Sequence, residues 1–211
     1  MRLFSLSCWN EVRRMSKGES TRQRIIVKAA PLFNQKGFSG CSMQDIMEAT
    51  GLEKGGLYRH FRSKEELAAE VFRYTLSRNQ KIRSHPAEPG QGAIEQLRAT
   101  IARFIAIPSA VPGGCPLLNT AVESDDGNPL LRGLAREGVQ EWKARLAGIV
   151  AGGIEMGEIR PETEPRAVAN TIIATLEGAL MISRLECSRT ALQDAQAALS
   201  QILDGIAASP A

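Results

Sequence analysis

Two adjacent glycines between a lysine and a tyrosine give this chain its first chemical lead, in Lys54-Gly55-Gly56-Leu57-Tyr58-Arg59. The run follows a short helical stretch, Met43–Thr50, closed by Gly51 where a left-handed residue is needed. Two short helices joined by a tight glycine turn make a helix-turn-helix. Met43, Ile46, Met47, Leu52, Leu57 and Phe61 supply its apolar side. Lys54, Gly55, Gly56, Tyr58 and Arg59 then fall on the other side, toward solvent or toward a DNA major groove. Each glycine costs a helix about 1 kcal/mol relative to alanine. Side by side near a helix start, they imply either a surface that must come close or a plain tight turn.

The charge distribution agrees with a polyanion at that end. Residues 1–85 hold 16 Lys and Arg against 8 Asp and Glu, and residues 86–211 hold 10 against 15. The whole-chain net charge of +3 hides this split.

The elements that must position these residues are helical nearly throughout, because no alternating β-branched or aromatic run appears. A first helix is expected over Thr21–Lys36, capped by Ser20 or Thr21, bent at Pro31 and stopped by Gly37. Ser42-Met43-Gln44-Asp45 opens the second helix as a capping box, and a third spans Lys54–Phe61. Ser63-Lys64-Glu65-Glu66 is a full capping box for a fourth, reaching Asn79. Ser84–Gly92 forms a linker. Beyond it, helices are expected over Ala93–Ile107, Leu117–Ser124, Asn128–Met156, Pro165–Glu186 and Thr190–Ile206. The fold class is therefore all-α. An N-terminal three-helix helix-turn-helix domain is followed by a C-terminal helical domain.

Other classes fall away on composition. Cys8, Cys41, Cys115 and Cys187 show no metal-ligand spacing, so no metal is expected and a reducing cytoplasm fits. The two histidines, His60 and His85, sit in no catalytic motif, and neither an enzyme nor a cofactor is expected. Ala167–Ser183 is too short and too polar for a good membrane span. The stretch Leu3–Trp9 is too brief for a signal peptide.

Thr21–Phe72, TRQRIIVKAAPLFNQKGFSGCSMQDIMEATGLEKGGLYRHFRSKEELAAEVF, resembles the DNA-binding domain of TetR/AcrR-type transcriptional regulators. The matching pieces are AAPLFNQKGF, the glycine turn and KGGLYRHFRSKEEL. Glu53 and Gly56 depart from the family pattern, which usually has a serine-like cap and a threonine or alanine there. The resemblance implies a DNA-contacting set. Ser42 would meet a phosphate at a helix N-terminus or simply cap it. Gln44 would reach a base edge. Lys54 would enter the groove or meet a phosphate, with Gly55 and Gly56 allowing close approach. Tyr58 would donate to a phosphate, Arg59 would contact base, phosphate or solvent, and Lys64 would meet a phosphate. Arg22 and Arg24 either flank the DNA backbone or form a solvated face.

For the C-terminal part, the resemblance implies a domain that dimerises and holds a ligand. The helices at about 165–186 and 190–206 are expected to form the homodimer interface. Phe104, Cys115, Leu118, Asn119, Val122, Trp142, Leu146 and Met181 are the expected pocket residues. Cys115 is either a sensor of oxidants and electrophiles or ordinary packing. Glu177 either pairs across the interface, binds a polar ligand group or is structural. The domains expected are a disordered extension over 1–19, a helix-turn-helix domain over 20–83 that includes the start of the connecting helix, and a helical regulatory and dimerisation domain over 84–211. The expected function is a homodimeric repressor released from a palindromic operator by a small-molecule inducer. The alternative is a DNA-binding regulator or activator without an inducer.

Overall fold

The computed structural model describes residues 16–83 and 90–208. Among these residues there are helices and no strands; one isolated bridge pairs Ile159 with Ala207. The order is α1 (Lys17–Gly40), α2 (Met43–Thr50), α3 (Lys54–Tyr58), α4 (Lys64–Arg83), α5 (Ala93–Ala106), α6 (Pro116–Ser124), α7 (Pro129–Glu155), α8 (Pro165–Leu185) and α9 (Thr190–Ile206).

The first helix starts earlier than its sequence suggests. Ser16 accepts from the Glu19 N–H, and the Glu19 carboxylate accepts from the Ser16 N–H, closing a capping box ahead of Ser20 and Thr21. Residues 16–19 therefore fall outside the expected disordered extension, whose remainder lies outside the described residues. Pro31 sits inside α1 without breaking it, and the helical backbone first departs at Gly37 (φ 75°, ψ 174°). A side chain there would meet the Glu123 carboxylate at 2.7 Å.

α3 is shorter than expected. It ends at Tyr58, and the Phe61 N–H bonds back to Leu57 through a tightened turn. α4 is longer, running past Asn79 to Arg83. Asn79 is buried, with its amide oxygen accepting the Ala110 N–H at 2.7 Å. The capping box of α4 is half formed. Ser63 accepts the Glu66 N–H, while the Glu66 carboxylate takes the N–H of Arg62.

Three apolar clusters hold the molecule. One joins α1, α2, α3 and the first turns of α4 around Ile25, Ile46, Leu57, Phe61 and Leu67. It also takes Val111 from the segment between α5 and α6. A second, smaller cluster packs Phe72 of α4 against Cys115, Leu117 and Ala135. The third joins α5, α7, α8 and α9 around Leu97, Leu146, Val150, Ile172, Leu176 and Leu199. α8 is long and apolar enough to cross a membrane by length and composition, despite the polar Asn170 and Glu177. Its inner face, including Ile172 and Leu176, is part of the third cluster.

Gly37→Ala is expected to lower the unfolding free energy by about 1–3 kcal/mol, because this backbone region is nearly exclusive to glycine. Urea unfolding checks it; a loss of only a few tenths of a kcal/mol would remove the account given for this turn.

Candidate functional site

The candidate face is built from the capping geometry of α2 and the packing of α3. Ser42 caps α2 by accepting the Asp45 N–H at 3.1 Å, and its own hydroxyl donates to Asp45 at 2.8 Å. Lys36 lies 2.5 Å from Asp45. Lys36 and then the Ser42 donors hold that carboxyl well below the usual carboxylate range. This braces the α1–α2 corner beside the exposed Gln44, whose amide donates to Glu48 at 2.9 Å.

Leu57 is fully buried, and this turns the opposite side of α3 outward. Lys54, Gly55, Tyr58 and Arg59 are exposed there, and Gly56 is half-buried. Lys54 and Arg59 have no ion-pair partner among the described residues. Nothing lies within 4 Å of a side chain built at Gly55, and one at Gly56 would make only ordinary contact with Leu52. Neither glycine has positive φ. The protein itself therefore gives no reason for glycine at either position. Lys64, at the start of α4, lies over the Phe38 ring at 4.4 Å. Lys54, Tyr58 and Arg59 on or just after α3 are thus exposed, as are Ser42 and Gln44 at the start of α2, while Lys64 is half-buried.

Arg22 does not belong to that face. Its guanidinium donates to the His60 carbonyl, to Glu66 at 3.2 Å and to Glu70 at 2.6 Å, and it lies over the Phe61 ring. It locks α1 to the end of the helix-turn-helix and to α4. Its sequence offered no signal for this, because both acids are more than forty positions away.

A cavity of about 810 Å³ opens between α4, α5, α6 and α7. Of the candidate pocket residues, Phe104, Cys115, Trp142 and Leu146 line it, together with Arg83, Arg103 and Arg145, which the sequence reading did not name. Leu118, Asn119, Val122 and Met181 do not line it. Leu118 packs beside Phe72, Val122 and Met181 point outward, and Asn119 is used elsewhere. The helical spacing that suggested these four does not fix which side of α6 or α8 faces inward.

Asn119 belongs to a polar seam between the two halves. Its amide donates to the Asn34 carbonyl at 3.1 Å and to the Gly113 carbonyl at 2.9 Å. Asn34 donates to the carbonyls of Pro112 and Gly114. Glu123 accepts the N–H groups of Phe38 and Ser39 at 2.7 and 2.8 Å. The seam joins the end of α1 to the segment that carries Cys115 into the cavity wall.

Cys115 is buried. Burial, and then the neighbouring Glu177, push its thiol up, which disfavours the reactive thiolate. Glu177 is itself buried, and neither carboxyl oxygen has a hydrogen-bond partner. Burial raises its pKa, only partly offset by Cys115 and Arg83. It faces inward from α8, so it takes no part in the outer surface of that helix.

Residues 25–71 match the family model for bacterial regulatory proteins of the tetR family. Residues 93–199 match the tetracyclin repressor-like C-terminal domain. A TetR transcriptional regulator from Chloroflexus aurantiacus J-10-FL superposes with a TM-score of 0.86 at 41% identity, over 92% of this chain and 98% of that one. A TetR-family transcriptional regulator from Cytophaga hutchinsonii gives 0.85 at 34% identity, over 94% and 100%. The HTH-type transcriptional repressor DhaR of Mycobacterium sp. strain GP1 is 29% identical over 172 residues, covering 81% of this chain and 86% of that protein.

The raised Glu177 pKa carries a pH consequence. The folded state holds this proton more tightly than the unfolded chain, whose carboxyl titrates near 4.5. The stability tied to it is full below that value and is lost as pH rises through the folded pKa. Urea unfolding of the wild type should therefore show a decline with rising pH that Glu177→Gln lacks. Parallel profiles would contradict the burial argument.

Proposed function

Because the chain belongs to the TetR family of DNA-binding transcriptional regulators, we propose that it is a homodimeric repressor, released from a palindromic operator by a small molecule entering the cavity. One observation carries this reading. α4 starts at Lys64, packs against the helix-turn-helix through Leu67 and Val71, and lines the cavity at its other end through Leu76, Asn79, Gln80 and Arg83. A molecule wedged against the far end of that helix acts on the orientation of the near end.

On this reading Lys54 and Arg59 enter the major groove, with Gly55 and Gly56 allowing the DNA to come close. Gln44 reads a base edge. Tyr58, Lys64 and the α2 start at Ser42 hold phosphates, which sets register without reading sequence. The outer sides of α8 and α9 expose Met181, Ile182, Leu185 and Ile202, an apolar surface suited to a second copy. A two-fold dimer would present two reading faces to a palindrome. The chain acts where its DNA is, in the cytoplasm.

Release requires a ligand that prefers the DNA-incompatible arrangement. Moving a 1:99 equilibrium to 99:1 takes about 5.5 kcal/mol of differential binding. A regulator without an inducer would suit a filled regulatory domain better than one with an open cavity.

Titrating the purified protein against an operator duplex selected from a random pool tests the reading. A dimer making about 6–10 phosphate contacts should lose ~10³–10⁵ in affinity between about 50 and 200 mM salt. Absence of any salt-sensitive duplex binding would overturn it. Gly55→Ala and Gly56→Ala should each stabilise the fold by up to about 1 kcal/mol while weakening operator binding. Unchanged operator affinity in both variants would exclude close approach of DNA at these positions.

A further inference from the structure

The polar groups facing the cavity are unevenly matched. Several neutral ones are already engaged: Asn79 with Ser109 and Ala110, and Thr100 with the Gln96 carbonyl. The arginines are not saturated. Arg83 uses its Nε and one terminal nitrogen on the Ile107 carbonyl, leaving the other terminal nitrogen without a hydrogen bond among the described residues. Arg103 uses only its Nε, on the Arg83 carbonyl. Arg145 has no ion-pair partner among the described residues. Among the described residues, the lining sets one carboxylate against these three cations: Glu95, which is exposed to solvent.

The apolar part of the cavity is flat and aromatic at one place. Phe104 and Trp142 stack with ring centroids 5.5 Å apart and planes 19° from parallel. The Arg83 guanidinium lies 4.3 Å from the Phe104 ring centre. The Trp142 indole N–H has no hydrogen-bond partner among the described residues. A planar cation, an aromatic shelf and an unused N–H thus meet at one wall. Burial also pulls the Arg83 pKa down, the mark of a cation short of compensating charge. Glu177 lies near enough to Arg83 to be felt, but it does not line the cavity, and burial favours its neutral form.

We infer that the cavity binds an amphipathic organic anion, a fused aromatic ring system bearing a carboxylate, with the acid on Arg83 and Arg103 and the rings along Phe104 and Trp142. This rests on the cavity being the effector site of the proposed function. Guanidinium groups pair with carboxylates through two parallel hydrogen bonds, and two arginines at one wall give that geometry a place. The remaining walls, Leu76, Leu117, Leu146 and Ile149, are aliphatic and suit the rest of the hydrocarbon.

Calorimetry on the full chain with three probes that share one ring system tests this: 1-pyrenebutyrate, 1-pyrenebutanol and 1-pyrenebutylammonium. The carboxylate should bind about tenfold or more tighter than the alcohol, with the ammonium weakest. Arg83→Gln and Arg103→Gln should each shrink the advantage of the carboxylate while leaving alcohol binding largely intact. Trp142→Leu should weaken all three. The inference is overturned if the alcohol or ammonium matches the carboxylate, if no probe binds, or if both arginine variants, folded by circular dichroism, keep the full preference. Adding operator duplex separates the two readings. Charge-selective binding without displacement of DNA overturns ligand release and leaves the anion site standing. Equal displacement by all three probes does the reverse.

Discussion

Everything in this molecule turns on one helix belonging to two cores at once. The first turns of α4 bury Leu67 and Val71 among residues of α1, α2 and α3. One turn later, Phe72 and Leu76 are packed against α6 and α7. A helix is stiff along its axis, and close-packed interiors do not deform smoothly. A shift of one end of α4 must therefore be taken up by the other. Arg22 strengthens the coupling from the DNA side by holding Glu66 and Glu70 of α4 together with the His60 carbonyl. Val111 strengthens it from the other side, because it leaves the regulatory half to fill a place in the first core.

The electrostatics follow the same division. Lysine is almost confined to the first half, where a compact, strongly hydrated charge suits a phosphate surface. In the regulatory half arginines line the cavity, and their planar heads stack on rings or take backbone carbonyls.

Much of the fold was legible because caps and stops are local. α2 and α9 have the limits their capping residues and periodicity indicate, and Gly37 and Gly51 end their helices as glycines do. The errors occur where a distant partner decides. α4 was expected to reach only Asn79, but it runs on to Arg83, and Asn79 is held inside by contacts with Ser109 and Ala110. Arg22 has the exposed-face spacing of a solvated residue, yet its partners lie on α4. For the candidate face, one turn and one buried leucine were enough to set the orientation. The cavity was far less legible. Which side of α6 faces inward depends on packing against α1 and α7, so Asn119 went to the seam and Val122 to solvent. Arg83 lay beyond the expected end of its helix and was missed for that reason.

Beside its apolar contacts, the join between the halves has a polar part in which amide and carboxylate meet backbone: Asn34, Asn119 and Glu123 with the carbonyls and N–H groups around them. Groups of this kind exchange one another for water at little net cost, whereas a greasy joint would bare hydrocarbon each time it parted. Were the halves to shift as proposed, this part of the joint could part and re-form without offering neighbouring molecules a sticky surface.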